Sequence, residues 1–346
     1  MPQKALIAMS GGVDSSVTAA LLQERGCDCM GLTLRLHSGS GIAESDAGLV
    51  AGKIGIPHYV IDLSADFKSN VIEPFIKGYE DGATPNPCII CNRNIKFAFH
   101  LYTPHVPYFD IFATGHYAQI EKSGSRWLLK KAIDPKKDQS YVLFSLDQET
   151  LSRCSFPLGN LTKSEVREIA AKKGFEYAEI KESQDICFVP GGDHGDFIEA
   201  FTGRNYPPGE ILDLDGKQIG THRGIIRYTL GQRRGLGVAQ NHPVYVCAKD
   251  VRQNTVSLGP EDSLYSKTLT ADKINLIACE DLNHPMRVKV KTRYLQSEHY
   301  ALAWQTGPDE MRIEFNEAQR ALTPGQAAVL YDGDIVVGGG IIKEII

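Results

Sequence analysis

The most constraining stretch lies at the start of the chain. Ala5-Leu-Ile-Ala-Met9 is a short, unalternating apolar run, the pattern of a parallel strand covered on both faces. Ser10-Gly-Gly-Val-Asp-Ser15 follows at once. From Asp14 to Arg25 the pattern is helical: Val17, Ala20 and Leu21 fall at i, i+3 and i+4, and Gly26 supplies a stop. Ligands of parallel sheets bind at the carboxyl ends of strands, so this turn sits where chemistry is expected. Its two glycines let the chain turn sharply and bring backbone N–H groups near an anion, and the helix start adds unpaired donors. The hydroxyls of Ser10, Ser15 and Ser16 are further donors for phosphate oxygens. Asp14 would repel a phosphate, so it is expected to hold Mg²⁺ or cap the helix. Two glycines alone would fit an ordinary capped turn, whereas the whole six-residue run points to a nucleotide. The Gly-Lys-Ser/Thr ending of a Walker loop is missing, so β,γ cleavage is not implied.

The same rhythm continues. Cys29–Arg35, His58–Asp62 and Ile111–Thr114 read as strands, Ala43–Ile54 and Lys163–Lys173 as helices, and Ser38–Gly41 as a flexible loop. This α/β pattern fades near residue 205, where Tyr206-Pro-Pro-Gly209 is a plausible linker. Turn signals then crowd together, and residues 267–346 read as all-β, a small barrel or sandwich. Three domains are therefore expected: 1–205, 206–266 and 267–346. No run approaches 18 apolar residues and the first residues lack a secretory pattern, so a cytoplasmic protein without a membrane span is expected. In a reducing compartment the eight cysteines are expected to be free, metal-binding or catalytic.

Three of those cysteines stand out. Thr84-Pro-Asn-Pro-Cys88-Ile-Ile-Cys91-Asn-Arg-Asn-Ile-Lys96-Phe places two thiols on a turn after a stiff approach, with Arg93 and Lys96 near enough in sequence to stabilise a thiolate. Half of a zinc site is the plainer reading, but the chain has no second C-x-x-C to complete it. Lys181-Glu-Ser-Gln-Asp185-Ile-Cys187-Phe-Val-Pro190 holds a third thiol, which alone would read as a core cysteine. His58, His100 and His105 have no metal-ligand spacing and read as surface or core residues.

The net charge is −5, from 37 basic and 42 acidic side chains, so any nucleic-acid contact must be local. Lys217 to Lys249 contains no Asp or Glu, and Arg287, Lys289, Lys291 and Arg293 recur every second residue, as on one strand face. A solvated edge would look the same, but two acid-free basic segments in an acidic chain point to phosphate.

The loop at 10–15 resembles that of the ATP pyrophosphatase superfamily, whose members split ATP between the α and β phosphates to adenylate a carbonyl oxygen. Over nearly the whole chain the motifs resemble the tRNA-specific 2-thiouridylase family. They comprise Ser10–Ser15, Thr84-Pro-Asn-Pro, Cys91-Asn-Arg, Ile95-Lys-Phe, Ala113-Thr-Gly-His-Tyr117, Lys137-Asp-Gln-Ser-Tyr141, Gly231-Gln-Arg-Arg-Gly-Leu-Gly237 and Thr323-Pro-Gly-Gln326. The resemblance implies an adenine nucleotide α-hydrolase-like catalytic domain, a small central tRNA-binding domain and a C-terminal barrel. It implies ATP and Mg²⁺ as cofactors, and sulfur insertion at C2 of the wobble uridine. Cys91 falls at the nucleophile position and Cys187 at the persulfide position, with a Cys91–Cys187 disulfide formed on release. Ala8, Met9, Ser10, Gly11, Gly12, Val13, Asp14, Ser15, Leu34 and Gly115 fall at ATP positions, and Asn86, Pro87 and Cys88 at the target base. Lys137, Asp138, Gln139, Arg293 and Tyr294 match tRNA contacts, and His116 and Gln326 match positions tied to accepting several tRNAs. Relatives carry Asp or Cys at position 88. Here Cys88, Cys91 and Cys187 could instead hold a [4Fe–4S] cluster with one open iron. The implied partners are tRNAs for lysine, glutamate and glutamine, and a cysteine desulfurase or sulfur-relay protein. A monomer is expected. The alternatives are an amidating synthetase of the same superfamily and a non-catalytic tRNA-binding or sulfur-carrier protein.

Overall fold

The computed structural model describes residues 1–37, 41–175 and 186–346; of the expected loop Ser38–Gly41, positions 38–40 lie outside the described residues and Gly41 opens a helix, and the stretch 181–185 also lies outside them. The first sheet has β1 (Lys4–Ala8), β2 (Asp28–Arg35), β3 (His58–Asp62), β4 (Ile111–Ala113) and β7 (Cys154–Ser155), in the order β3-β2-β1-β4-β7. All its pairings are parallel. Ala5 and Ile7 face a cluster with Val17 and Ala20 of α1 (Val13–Glu24), Val50 of α2 (Gly41–Ile54) and Val166 of α8 (Lys163–Lys172). Leu6 faces the opposite way, into a cluster with Leu32, Phe67, Phe75 and Phe112. Burial on both faces is why β1 shows no polar alternation.

Between β3 and β4 the chain forms α3 (Ser64–Phe67), a π turn (Lys68–Ile72) and α4 (Glu73–Glu80), and then α5 (Pro87–Cys91), which runs into a second π turn (Asn92–Lys96). The two cysteines of this segment thus lie on a helix, where the sequence suggests a turn. Asn86 caps it, its side chain accepting from the Cys88 N–H at 3.1 Å, and Pro87 presets the first helical residue. The short helices α6 (Ser140–Leu143) and α7 (Gln148–Ser152) follow β4, and α9 (His194–Thr202) leads out of the domain.

A four-stranded central sheet joins β8 (Gly209–Leu212), β9 (Gln218–His222), β10 (Tyr245–Asp250) and β11 (Thr255–Gly259) in the order β10-β11-β8-β9. The final sheet contains β12 (Tyr265–Leu276), β13 (Met286–Lys291), β14 (His299–Gly307), β15 (Glu310–Arg320), β16 (Ala327–Asp332) and β17 (Ile335–Ile345). Its order is β12-β15-β14-β13-β16-β17, and β12 pairs back with β17, so it closes into a barrel. Val288 and Val290 point into the barrel core, and Arg287, Lys289 and Lys291 point out.

A hairpin, β5 (Ala118–Ser123) and β6 (Arg126–Lys131), leaves the first domain and extends the barrel sheet, with Lys130 opposite Ile335 of β17. Hydrogen bonds reinforce this junction: Arg126 donates to the Ile277 and Leu276 carbonyls at 2.8 and 3.1 Å, and Asn275 to the Phe144 and Leu146 carbonyls at 2.7 and 2.9 Å.

Candidate active site

The loop after β1 turns at Gly11, whose φ of +75° favours glycine. Ser15 Oγ donates to the Gly12 carbonyl at 3.0 Å and accepts from the Ser10 N–H at 3.2 Å, and Ser16 Oγ donates to the same carbonyl at 2.9 Å. Ser15 and Ser16 thus brace the loop itself. Gly115 presses against it: a Cβ there would lie 2.9 Å from the Asp14 carbonyl carbon and 3.0 Å from the Ser15 nitrogen. Ala8, Met9, Ser10, Asp14, Ser15, Leu34 and Gly115 line one cavity of about 300 Å³ at the strand ends, and Gly11, Gly12 and Val13 complete the turn beside it.

Asp14 is the one carboxylate lining that cavity among the described residues. Both of its oxygens are engaged: Lys163 Nζ lies 2.8 and 2.9 Å from them, and the Tyr117 hydroxyl donates to Oδ1 at 2.7 Å. Lys163 and Tyr117 thus take three of the acceptor directions of this carboxylate. The expected helix cap is not seen, because α1 is capped by the Gly12 backbone with no side-chain bond.

Lys96, His116 and Gln139 line the same cavity. His116 bonds Thr114 Oγ1 through Nδ1 at 2.7 Å and packs beside Phe97 and Phe156. Burial, aided by the Lys96 charge, pushes its pKa down to about 3, so the ring is neutral at physiological pH. The Gln139 side chain accepts from the Tyr117 N–H at 2.9 Å.

Three thiols lie within electrostatic reach of one another, and Lys96 of this cavity acts on Cys91 and Cys187. Cys91 is buried and Cys88 and Cys187 are exposed residues; all three are free. Burial pushes the Cys91 thiol up to about 11; Lys96 favours its thiolate, while charge on Cys187 or Cys88 opposes it. Cys187 is also raised, first by the protein packed around its sulfur, with Lys96 and Cys88 acting in the same opposed senses. Residues 96 positions apart in sequence are thus brought within electrostatic reach of each other. Phe188 anchors the second segment by packing edge-on against Phe67 and Phe75. Of the two cations flagged by sequence, Lys96 bears on the thiols, whereas Arg93 lines a larger groove of about 990 Å³ that also holds Asn86. Pro87 is buried at the start of α5. Among the described residues no group of three or more His, Cys, Asp or Glu is arranged to hold a metal ion. The trio as placed is therefore not arranged as a cluster site.

The residues matched to tRNA contacts occupy varied settings. Asp138 is buried, accepting from the Ala132 and Ser140 N–H groups at 3.1 and 3.2 Å. Lys137 is half-buried on the preceding turn. Gln326 donates to the Thr84 carbonyl at 2.7 Å, tying the barrel to the segment before Asn86. Tyr294 packs beside Tyr141, with ring centroids 6.1 Å apart. Arg293 does not share the outer face of β13. The strand ends at Lys291, the chain turns where Gln296 accepts from Thr292, and the Arg293 guanidinium reaches inward. It donates to the Ala321 carbonyl at 2.7 Å and to Thr323 Oγ1 at 2.9 Å. Lys163 and Tyr117 are the site residues that sequence reasoning missed; a capping signature, Thr162 with Glu165, marks the helix that carries Lys163.

A parallel sheet with a glycine turn at β1, followed by a small central sheet and a closed barrel, defines a three-part nucleotide-type α/β protein. Residues 3–191 match the family described as tRNA methyl transferase HUP domain, 195–260 the tRNA methyl transferase PRC-barrel domain, and 266–342 the aminomethyltransferase beta-barrel domain. A protein named tRNA-specific 2-thiouridylase MnmA from Halothermothrix orenii is 45% identical over 358 residues, covering 99% of both chains. Its namesake from Acetivibrio thermocellus is 45% identical over 356 residues, again covering 99% of both. That of Heliobacterium modesticaldum is 46% identical over 357 residues, covering 99% of this chain and 93% of the relative. The chain belongs to the tRNA-specific 2-thiouridylase MnmA family.

Proposed function

We propose that the protein is an ATP-dependent sulfurtransferase that converts the C2 oxygen of the tRNA wobble uridine to sulfur. The observation that carries this reading is Lys96: it lines the nucleotide cavity and also bears on the thiols of Cys91 and Cys187. A pyrimidine oxygen is a poor leaving group, and transfer of AMP from ATP onto it, with release of pyrophosphate, makes it a good one. The terminal sulfur of a Cys187 persulfide attacks C2 and AMP departs. Cys91 thiolate then attacks the Cys187 sulfur, the S–S bond to the transferred sulfur breaks, and thiouridine leaves as a Cys91–Cys187 disulfide forms. The two electrons that reduce the sulfane sulfur come from these two thiols, and an external thiol restores them.

Lys96 favours the thiolates and the charge of AMP as it departs. The site must close over the adenylate once tRNA is bound, because water would otherwise hydrolyse it. Ala8–Ser15, Leu34 and Gly115 hold ATP, and Asn86, Pro87 and Cys88 receive the extruded base. Lys137, Asp138, Gln139, Arg293, Tyr294, His116 and Gln326 act on tRNA, several of them by fixing the loops that meet it. The enzyme works in the cytoplasm as a monomer, with a cysteine desulfurase or relay protein supplying sulfur. No helix of the described residues is long and apolar enough to cross a membrane.

Incubation with ATP, tRNA and a persulfide donor should yield AMP, pyrophosphate and 2-thiouridine by mass spectrometry. ATP turnover indifferent to Cys91→Ser and Cys187→Ser would favour an amidating synthetase, and an absence of AMP would favour a carrier. Anaerobic purification, with iron and sulfide analysis beside Cys88→Ser, should give a colourless active protein; iron-dependent activity would replace the persulfide with a cluster.

A further inference from the structure

A carboxylate is out of place in a cradle for phosphates. Asp14 lines the cavity, and Gly115 packs against its backbone from the other side. Lys163 Nζ lies within 2.9 Å of both carboxylate oxygens, and the Tyr117 hydroxyl donates to one of them. The Lys163 side chain is only 10% exposed and its ammonium also sits 5.8 Å over the Tyr117 ring. The backbone fixes its origin: Lys163 opens α8 after the Thr162–Glu165 capping box, and its N–H donates to Asp134 at 3.0 Å. A lysine so fixed and so little exposed is held against the Asp14 carboxylate.

We propose that Lys163 is a positioning residue for the nucleotide, acting through Asp14: its ammonium cancels the carboxylate charge, so the backbone donors of the loop, with Lys96 on the cavity wall, set the potential that a triphosphate meets. Asp14 then ties the loop to α8 without repelling the phosphates. The proposal rests on the reading of the loop as a nucleotide site and adds the residue that makes a loop with an aspartate compatible with an anion.

Lys163→Met leaves the carboxylate uncompensated. Titration calorimetry without tRNA should then show ATP affinity falling on the order of tenfold, ADP less, and adenosine unchanged, because the penalty follows ligand charge. Adding Asp14→Asn to Lys163→Met should bring ATP affinity back to within about threefold of the unaltered protein, because the repelling charge is gone. An equal loss for adenosine and ATP would reduce Lys163 to a packing role. A double variant as weak as Lys163→Met would mean that the lysine grips phosphate itself. Either result overturns the proposal. An unaltered protein that binds neither ATP nor adenosine would sink the nucleotide reading beneath it. If Lys163→Met does not fold, Lys163→Gln carries the same expectations.

Discussion

The nucleotide cradle and the thiol site share Lys96 and are built on opposite terms. In the cradle the polar side chains have partners: Asp14 has Lys163 and Tyr117, Ser15 and Ser16 have Gly12, and Gln139 has Tyr117. In the thiol site Cys91 is buried with its pKa pushed up to about 11, so it rests protonated. One site is organised before its ligand arrives, and the other is held inert until something changes its surroundings. The contrast suits a two-stage reaction, in which activation by ATP precedes exposure of a strong nucleophile.

That contrast can be broken experimentally. The largest effect is expected for Cys91→Ser or Cys187→Ser: thiolation should fall by at least about 10³-fold, the scale of losing a covalent nucleophile, with ATP affinity retained. Loss of ATP binding in either variant would show that the two sites are not separable. Next is the resting state of the thiol. Below a pKa of about 11 the thiolate fraction of Cys91 rises with pH, so its alkylation, followed by mass spectrometry, should speed up about 100-fold from pH 7 to pH 9. Lys96→Met should slow it at every pH. A plateau already present at pH 7 would mean an activated thiol.

Smaller effects should follow from the cradle and the barrel. In Gly115→Ala the new methyl meets backbone of Asp14 and Ser15, so ATP affinity should drop about tenfold, with ~1–3 kcal/mol of stability lost to overpacking. Alkylation of Cys91 should be unaltered. On the barrel, Arg287 and Lys289 have no carboxylate partner among the described residues and flank the exposed Tyr300 ring at 4.9 and 5.2 Å. Arg287→Ala with Lys289→Ala should weaken tRNA binding a few-fold and lower the salt dependence of log K by about 1.5. An unchanged salt slope would leave this face a solvated edge.

How legible each region was depends on how far away its partners lie in the chain. β1, its glycine turn and α1 are consecutive, so a short-range pattern suffices to place the cradle. Asp14 shows the limit: its neutralising lysine is 149 residues away, and no local rule pairs them. The β5–β6 hairpin was invisible for the same reason. Arg126-Trp-Leu-Leu-Lys-Lys131 is mostly half-buried, without clean alternation, because its neighbour on the open side is β17, some 200 residues later. Arg293 misled because period-two spacing carries no mark of where a strand stops; the turn bonded by Gln296 redirects it. The meeting of Cys91 with Cys187 came from family resemblance, since spacing alone left Cys187 an ordinary core thiol.

The hairpin shared between the first domain and the barrel has a further consequence. With Lys130 paired to Ile335, Arg126 donating to the Leu276 and Ile277 carbonyls, and Tyr141 to the Ala327 carbonyl, the two bodies are welded by one strand pairing and by side-chain bonds to main-chain carbonyls that neither can release cheaply. The barrel therefore serves as a fixed gauge. The span from its outer face to the cradle is set when the chain folds, and an RNA that grips that face must cover the span with its own pliable loop.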